Sequence, residues 1–225
     1  MSTLLRLTLL VLMGLALSGC GIVSLGTAGQ IRGSGKVTTE TREVGAFTAI
    51  DISGVGEVVI TQGDADSLMV ETDDNLQAIM LGEVRGDTLY LGIKPDQDFS
   101  DATRVTFTVT VKDLTAITLA GAASITVSNL SGDMLTVMHA GAGTVTTSGA
   151  VAEQRVTLSG AGSYDGAALV SDRATVDLSG LGSVVVNARQ RLDATISGAG
   201  SIAYIGSPEL HQQVSGVGSI RQRAP

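Results

Sequence analysis

Tryptophan is missing from this chain, and tyrosine and phenylalanine occur only three times each. The sugar-stacking platforms of most polysaccharide-acting enzymes are therefore hard to assemble from it. One cysteine, Cys20, excludes a disulfide within a monomer, because a lone thiol has no partner. The only histidines are His139 and His211, so no His-x-x-x-His or Cys–His spacing exists for zinc. Basic residues are also few: 14 Lys and Arg face 22 Asp and Glu, a net charge of -8. Such a surface repels phosphate backbones, which argues against nucleic-acid binding and against docking on anionic lipid by charge alone. No window sustains the three-and-four apolar spacing of an amphipathic helix.

The long apolar run that is present lies at the start. Arg6 precedes the stretch from Leu7 to Leu17, which ends in Leu17-Ser18-Gly19-Cys20. A short charged start, a run of this length and small residues before a cut describe a secretory signal, since a membrane span needs roughly 20 apolar residues. The tetrapeptide resembles the bacterial lipobox, which implies that residues 1–19 are removed and Cys20 carries lipid. Acyl chains contribute about 0.8 kcal/mol per buried methylene, and two already anchor stably. Gly21 is not the aspartate that retains such proteins in the inner membrane, so outer-membrane sorting is expected. Residues 20–45, rich in Gly, Ser and Thr, read as a flexible tether. Within it, Gly33-Ser-Gly-Lys36 is no phosphate loop: Gln30 replaces the first glycine, and Val37 replaces the magnesium-binding hydroxyl.

Glycine is plentiful, at 29 residues, and it is ordered. Ser159-Gly-Ala-Gly-Ser163, Ser179-Gly-Leu-Gly-Ser183, Ser197-Gly-Ala-Gly-Ser201 and Ser215-Gly-Val-Gly-Ser219 repeat one unit, with looser copies at 53–57, 120–124 and 140–144. First glycines at 121, 141, 160, 180, 198 and 216 give steps of 18 to 20 residues. A fixed step of this size signals stacked coils, each burying its apolar side against its neighbours. Between the glycines, residues alternate: Val176 and Leu178 point one way, Thr175 and Asp177 the other. Strands at about 4.8 Å separation would then stack in parallel. The glycines are expected at corners, for backbone angles that other residues avoid and for close approach between coils. The flanking serines are expected to form hydroxyl ladders.

The calcium-binding nonapeptide also builds coils of about 18 residues. Here its aspartate position holds Tyr164, Val184, Ile202 and Ile220, none a calcium ligand. Upstream, strands are predicted over 47–52, 58–61, 68–71, 88–93 and 105–111, beginning and capping the stack. Arg221, Arg223 and Pro225 are expected to blunt the other end.

The run Phe47-Thr-Ala-Ile-Asp-Ile-Ser-Gly-Val-Gly56, the segment Val70-Glu-Thr-Asp-Asp-Asn-Leu76 and the serial glycine units resemble the family called putative auto-transporter adhesin, head GIN domain. The likeness spans roughly 46–221. It implies an all-β, right-handed parallel β-helix-like solenoid in the bacterial envelope. An autotransporter ends in a membrane barrel of alternating strands; nothing follows Pro225 here, so lipid on Cys20 is expected to supply the membrane contact.

Candidate chemistry is thin. His139, beside a glycine corner, and His211 read as surface or corner residues rather than bases. Asp96, Asp98 and Asp101 carry the oxygens calcium prefers, but Pro95-Asp-Gln-Asp also carries turn chemistry. Asp73 and Asp74 read as turn-forming. No catalytic, cofactor-binding or metal-binding residue is assigned, and no cofactor is expected. The reading that follows is a non-enzymatic structural or interaction module, adhesion-related, whose strand faces meet an envelope protein or glycan. The alternatives are a polysaccharide-acting β-helix enzyme and a periplasmic small-ligand or stress-response lipoprotein; fold analogy alone carries neither.

Overall fold

The computed structural model describes residues 30–224; the expected leader, Cys20 and the start of the expected tether lie outside them. Strands β1 (Ile31–Arg32), β2 (Val37–Arg42), β3 (Ala49–Ile52), β4 (Val55–Gln62) and β5 (Ser67–Asp73) lead to a single 3₁₀ turn, Gln77–Ile79. Then come β6 (Met80–Arg85), β7 (Thr88–Ile93), β8 (Phe99–Ser100), β9 (Val105–Val111) and β10 (Ala116–Leu119). Four long bent strands follow, β11 (Ala122–His139), β12 (Ala142–Leu158), β13 (Ala161–Leu178) and β14 (Leu181–Ile196). The chain closes with β15 (Ala199–Ile205), β16 (Glu209–Val214) and β17 (Val217–Gln222). Five strands predicted upstream are present, with ends shifted by up to three residues.

The repeat unit forms one coil of a parallel β-solenoid. Each long strand pairs in parallel with the next, and the register joins like positions: Val137 to Val156 to Val176 to Ala194, and Leu119 to His139 to Leu158 to Leu178 to Ile196. These side chains point inward and are buried, while Thr157 and Thr175 between them face out. The alternation read from the sequence is thus the wall of the solenoid: apolar columns inside, polar columns outside. Each aliphatic side chain fully buried in this way contributes roughly 1.5–3 kcal/mol.

Where the coil turns, the Ser-Gly-x-Gly units lie on one another. Leu158 O accepts N–H bonds from both Ser179 and Gly180, at 2.9 and 3.0 Å, and Gly160 O accepts Leu181 N at 2.9 Å. The same pattern recurs one coil later at Leu178 and Gly180. A Cβ on Gly180 would fall on the carbonyl oxygen of Gly160, deep inside contact distance. The reason for glycine here is closeness, not conformation: Gly160, Gly180 and Gly198 are not in the left-handed region, whereas Gly143 is, with φ 130°. The expected special backbone angles belong to the second glycine instead, at Gly56, Gly143 and Gly182. The serine ladders are also weaker than expected. Thr144 and Ser163 bond at 3.1 Å, but Ser183 has no hydroxyl partner among the described residues.

The first coils are capped as predicted. Strand β5 runs antiparallel to β2 and β9, and Leu76 and Met80 are fully buried behind it. The Gln77 amide donates to Thr38 O at 2.8 Å and Val70 O at 3.1 Å. Arg42 donates to Gln77 O at 2.7 Å and Met80 O at 3.0 Å. Part of the expected tether therefore belongs to the fold, because β1 pairs with β8 and β2 with β5. Composition misled there: a Thr-rich edge strand and a linker look alike. At the far end Val214 is 46% and Val217 81% exposed, so the last coil keeps an open edge beside Arg221.

Candidate interaction faces

Because each long strand runs from one glycine corner to the next and bends midway, where its register breaks at Val127/Leu130, Thr146/Ser148 and Gly166/Val170, each contributes to two walls. The wall before the corner aligns eight parallel strands, in the order β7, β3, β10, β11, β12, β13, β14, β16. The wall after it aligns β9, β4, β11, β12, β13, β14, β15 and β17. At strand separations of about 4.8 Å, each is about 34 Å long.

The walls differ in chemistry. After the corner, the outward columns are mostly uncharged: Ala142, Ala161 and Leu181 stand in register beside Thr144, Ser163 and Ser183, and Glu57, Asp165 and Arg221 are the charged members. Before the corner, charges are laddered. Glu153 meets Arg155 at 3.3 Å and Arg173 at 3.8 Å. Arg191 donates to both carboxylate oxygens of Asp193, at 2.7 and 2.8 Å. That guanidinium holds the Asp193 carboxyl below the usual range, first by hydrogen bonding and then by its charge. Thr175, Asp177 and Thr195 lie in this wall: Thr175 is in register with Asp193, and Asp177 with Thr195. The structure makes them one patch, as the alternation implied.

The two histidines go to different places. His211 is exposed on β16 with its Nε2 3.1 Å from Glu209 Oε1. His139 is not at the surface, contrary to expectation. It is 1% exposed, and neither ring nitrogen has a hydrogen-bond partner among the described residues. Burial pushes its pKa down. The period-two count from Val137 already placed it inward; proximity to the glycine corner concealed this.

The acidic loop is dispersed rather than convergent. Asp98 accepts from Gln30 Nε2 at 2.7 Å and from Phe99 N at 2.8 Å, while Asp101 pairs with Arg32 at 3.1 Å. Among the described residues no three His, Cys, Asp or Glu side chains are grouped to hold a metal ion. Asp73 and Asp74 do more than turn the chain. Asp73 is fully buried and accepts from Thr103 N at 2.7 Å and Thr103 Oγ1 at 2.9 Å. Asp74 accepts from Ser34 Oγ at 2.6 Å, fastening the N-terminal arm to the head.

The sequence pattern does not announce one interior feature. Tyr164, Thr147, Gln154 and Ser171 form a buried polar chain: Tyr164 and Thr147 hydroxyls lie 2.8 Å apart, Tyr164 donates to Gln154 Oε1 at 3.2 Å, and Gln154 Nε2 donates to Ser171 Oγ at 2.7 Å. Burial raises the Tyr164 pKa, so the phenol stays neutral. The available signal was Tyr164 standing in register with Val145 and Val184.

Comparison with known proteins places these walls in a wider group. The family model described as "Putative auto-transporter adhesin, head GIN domain" matches residues 46–208. A crystal structure named as that of a putative adhesin from Bacteroides fragilis is similar at 25% identity, with TM-score 0.71, over 86% of this chain and 100% of that one. A putative adhesin from Parabacteroides distasonis shares the fold at 20% identity, TM-score 0.62, over 87% and 100% of the two chains. So does a putative lipid binding protein from the same organism, at 22% identity and TM-score 0.55, over 87% and 100%. No match was found among the curated proteins.

Proposed function

The chain belongs to the family described as putative auto-transporter adhesin, head GIN domain, and on that footing we propose that it is a non-enzymatic interaction module of the bacterial outer membrane, anchored by lipid on Cys20. The observation that carries the reading is the wall before the corner. Eight parallel strands hold Thr175, Asp177 and Thr195 side by side at outward positions, on a frame whose corners and interior are closely packed. A flat, rigid array meets a partner without paying to order its own groups, and affinity then follows from shape and paired charges. An envelope protein or glycan is the partner that suits it. The leader supports the anchor, since its one thiol follows Leu17-Ser18-Gly19. Among the described residues no helix is long and apolar enough to cross a membrane.

Two variants separate the parts of this reading. Cys20→Ser should leave the head folded and release it from the membrane fraction; retention at unchanged abundance removes the anchor. In a deletion strain complemented with single variants, Thr175→Lys, Asp177→Lys and Thr195→Tyr should impair surface attachment or envelope integrity, while His211→Ala should not. Loss of function in a folded His211→Ala protein, with the wall variants active, overturns the interaction reading in favour of chemistry at that histidine.

A further inference from the structure

His139 occupies a place that every neighbouring coil gives to an aliphatic side chain. Its register partners are Leu119 on β10 and Leu158 on β12, followed by Leu178 and Ile196. The ring lies under the backbone of Gly162, where a Cβ would meet Nε2 at 2.9 Å. It is 1% exposed, with both nitrogens unpartnered among the described residues.

The surrounding charges do not reach inward. Strand β10 carries none. On β11 Asp133 is exposed, and on β12 Glu153 and Arg155 occupy outward positions and pair with each other. On β13 Asp165 and Asp172 are partly exposed and Arg173 and Asp177 exposed, so none of them is buried. The one titratable side chain turned inward on these strands besides His139 is Tyr164, which is neutral and bonded to Thr147 and Gln154. A proton on the imidazole would therefore sit among leucines with no counter-charge, an arrangement that costs far more than leaving the ring neutral.

We propose that His139 makes the head acid-labile: its ring takes a proton far more readily when the β10–β11–β12 coils part and expose it to water, so mild acid opens the solenoid at this column. A histidine free in water titrates near pH 6.5. The folded value lies lower, so the opened chain binds a proton that the closed one does not. Stability from this source is full above about pH 6.5 and falls as pH drops below it, until the lowered folded value is reached. One proton taken up on opening raises the opening constant by up to about tenfold per pH unit in that window. His211, exposed beside Glu209, is a natural control.

The test is denaturant unfolding of the soluble Cys20→Ser chain from pH 8 to 5, compared with the same chain carrying His139→Leu or His211→Ala. Expected is a wild-type opening constant that climbs relative to His139→Leu by up to about tenfold per unit below pH 6.5, with His211→Ala following wild type. Parallel profiles for wild type and His139→Leu overturn the proposal. Should the leucine variant fail to fold, an NMR titration of the His139 ring in the unmutated head decides. No protonation of the folded ring down to the pH of unfolding supports the proposal, and ordinary titration near pH 6.5 in the intact fold refutes it.

Discussion

Gly166 stands against the ring of Tyr164: a Cβ at Gly166 would come within 2.7 Å of the ring carbon Cε1 and 2.9 Å of the hydroxyl oxygen. In the next coil the same two positions hold Val184 and Val186, both buried. The β13 coil thus exchanges two medium side chains for one large and none, and its volume is kept. Gly166→Val alone should destabilise by about 1–3 kcal/mol through overpacking. Combined with Tyr164→Val it should cost less than the sum of the single changes, with a coupling of about 0.5–3 kcal/mol in a urea-denaturation cycle. Strict additivity would mean that the two side chains are not sharing one space.

The corners make a sharper contrast. Gly180→Ala places its methyl on the Gly160 carbonyl and should cost more than the roughly 1 kcal/mol of an ordinary strand glycine change. Ser183→Ala, next to it, removes a hydroxyl without a partner and should stay within about 0.5 kcal/mol. Equal, small losses at both positions would contradict the close stacking of the glycine units.

A buried carboxylate at the end of β5 holds the Thr103 segment, and its neighbour Asp74 holds the N-terminal arm. Asp73→Ala strands the Thr103 N–H and should cost about 1.5–3 kcal/mol. Hydrogen exchange should then rise first in β2 and around Thr103. Asp74→Ala, at the surface, should loosen Ser34 and the arm with little change in the global midpoint. Uniform loss of protection across the whole solenoid from Asp74→Ala would show that the arm is not a separate fastening.

The Arg191–Asp193 pair should contribute little. Both side chains are well exposed, at 45% and 38%, where water and salt screen the attraction and ordering two side chains offsets most of the gain. Asp193 is held below its unfolded value of 3.8, so its contribution is present above that value and is lost as pH falls through the lowered one. The stability difference between wild type and Arg191→Ala should accordingly shrink in acid and in high salt. A difference that persists in 1 M salt would indicate packing by the arginine stem instead.

Much of this architecture is local and repetitive, and so it can be read from the chain. The step between first glycines and the alternation through Val176 and Leu178 require coils stacked in parallel, because no other arrangement buries the same side of every unit. What the tertiary structure decided are matters that depend on which residues meet across coils. Gly180 is needed because Gly160 lies beneath it, a fact about neighbours 20 residues apart rather than about one backbone angle. Residues 31–32 and 37–42 became strands only because β8 and β5 offered edges to pair with, and Thr-rich composition serves linker and edge strand alike. His139 was counted with its corner, but the column of leucines on either side decides its environment. Nothing local to Tyr164 names Gln154 as its partner; that contact exists because one coil brings residues ten apart into the same interior. The repeat sets the frame, and long-range packing sets what each place in the frame can do.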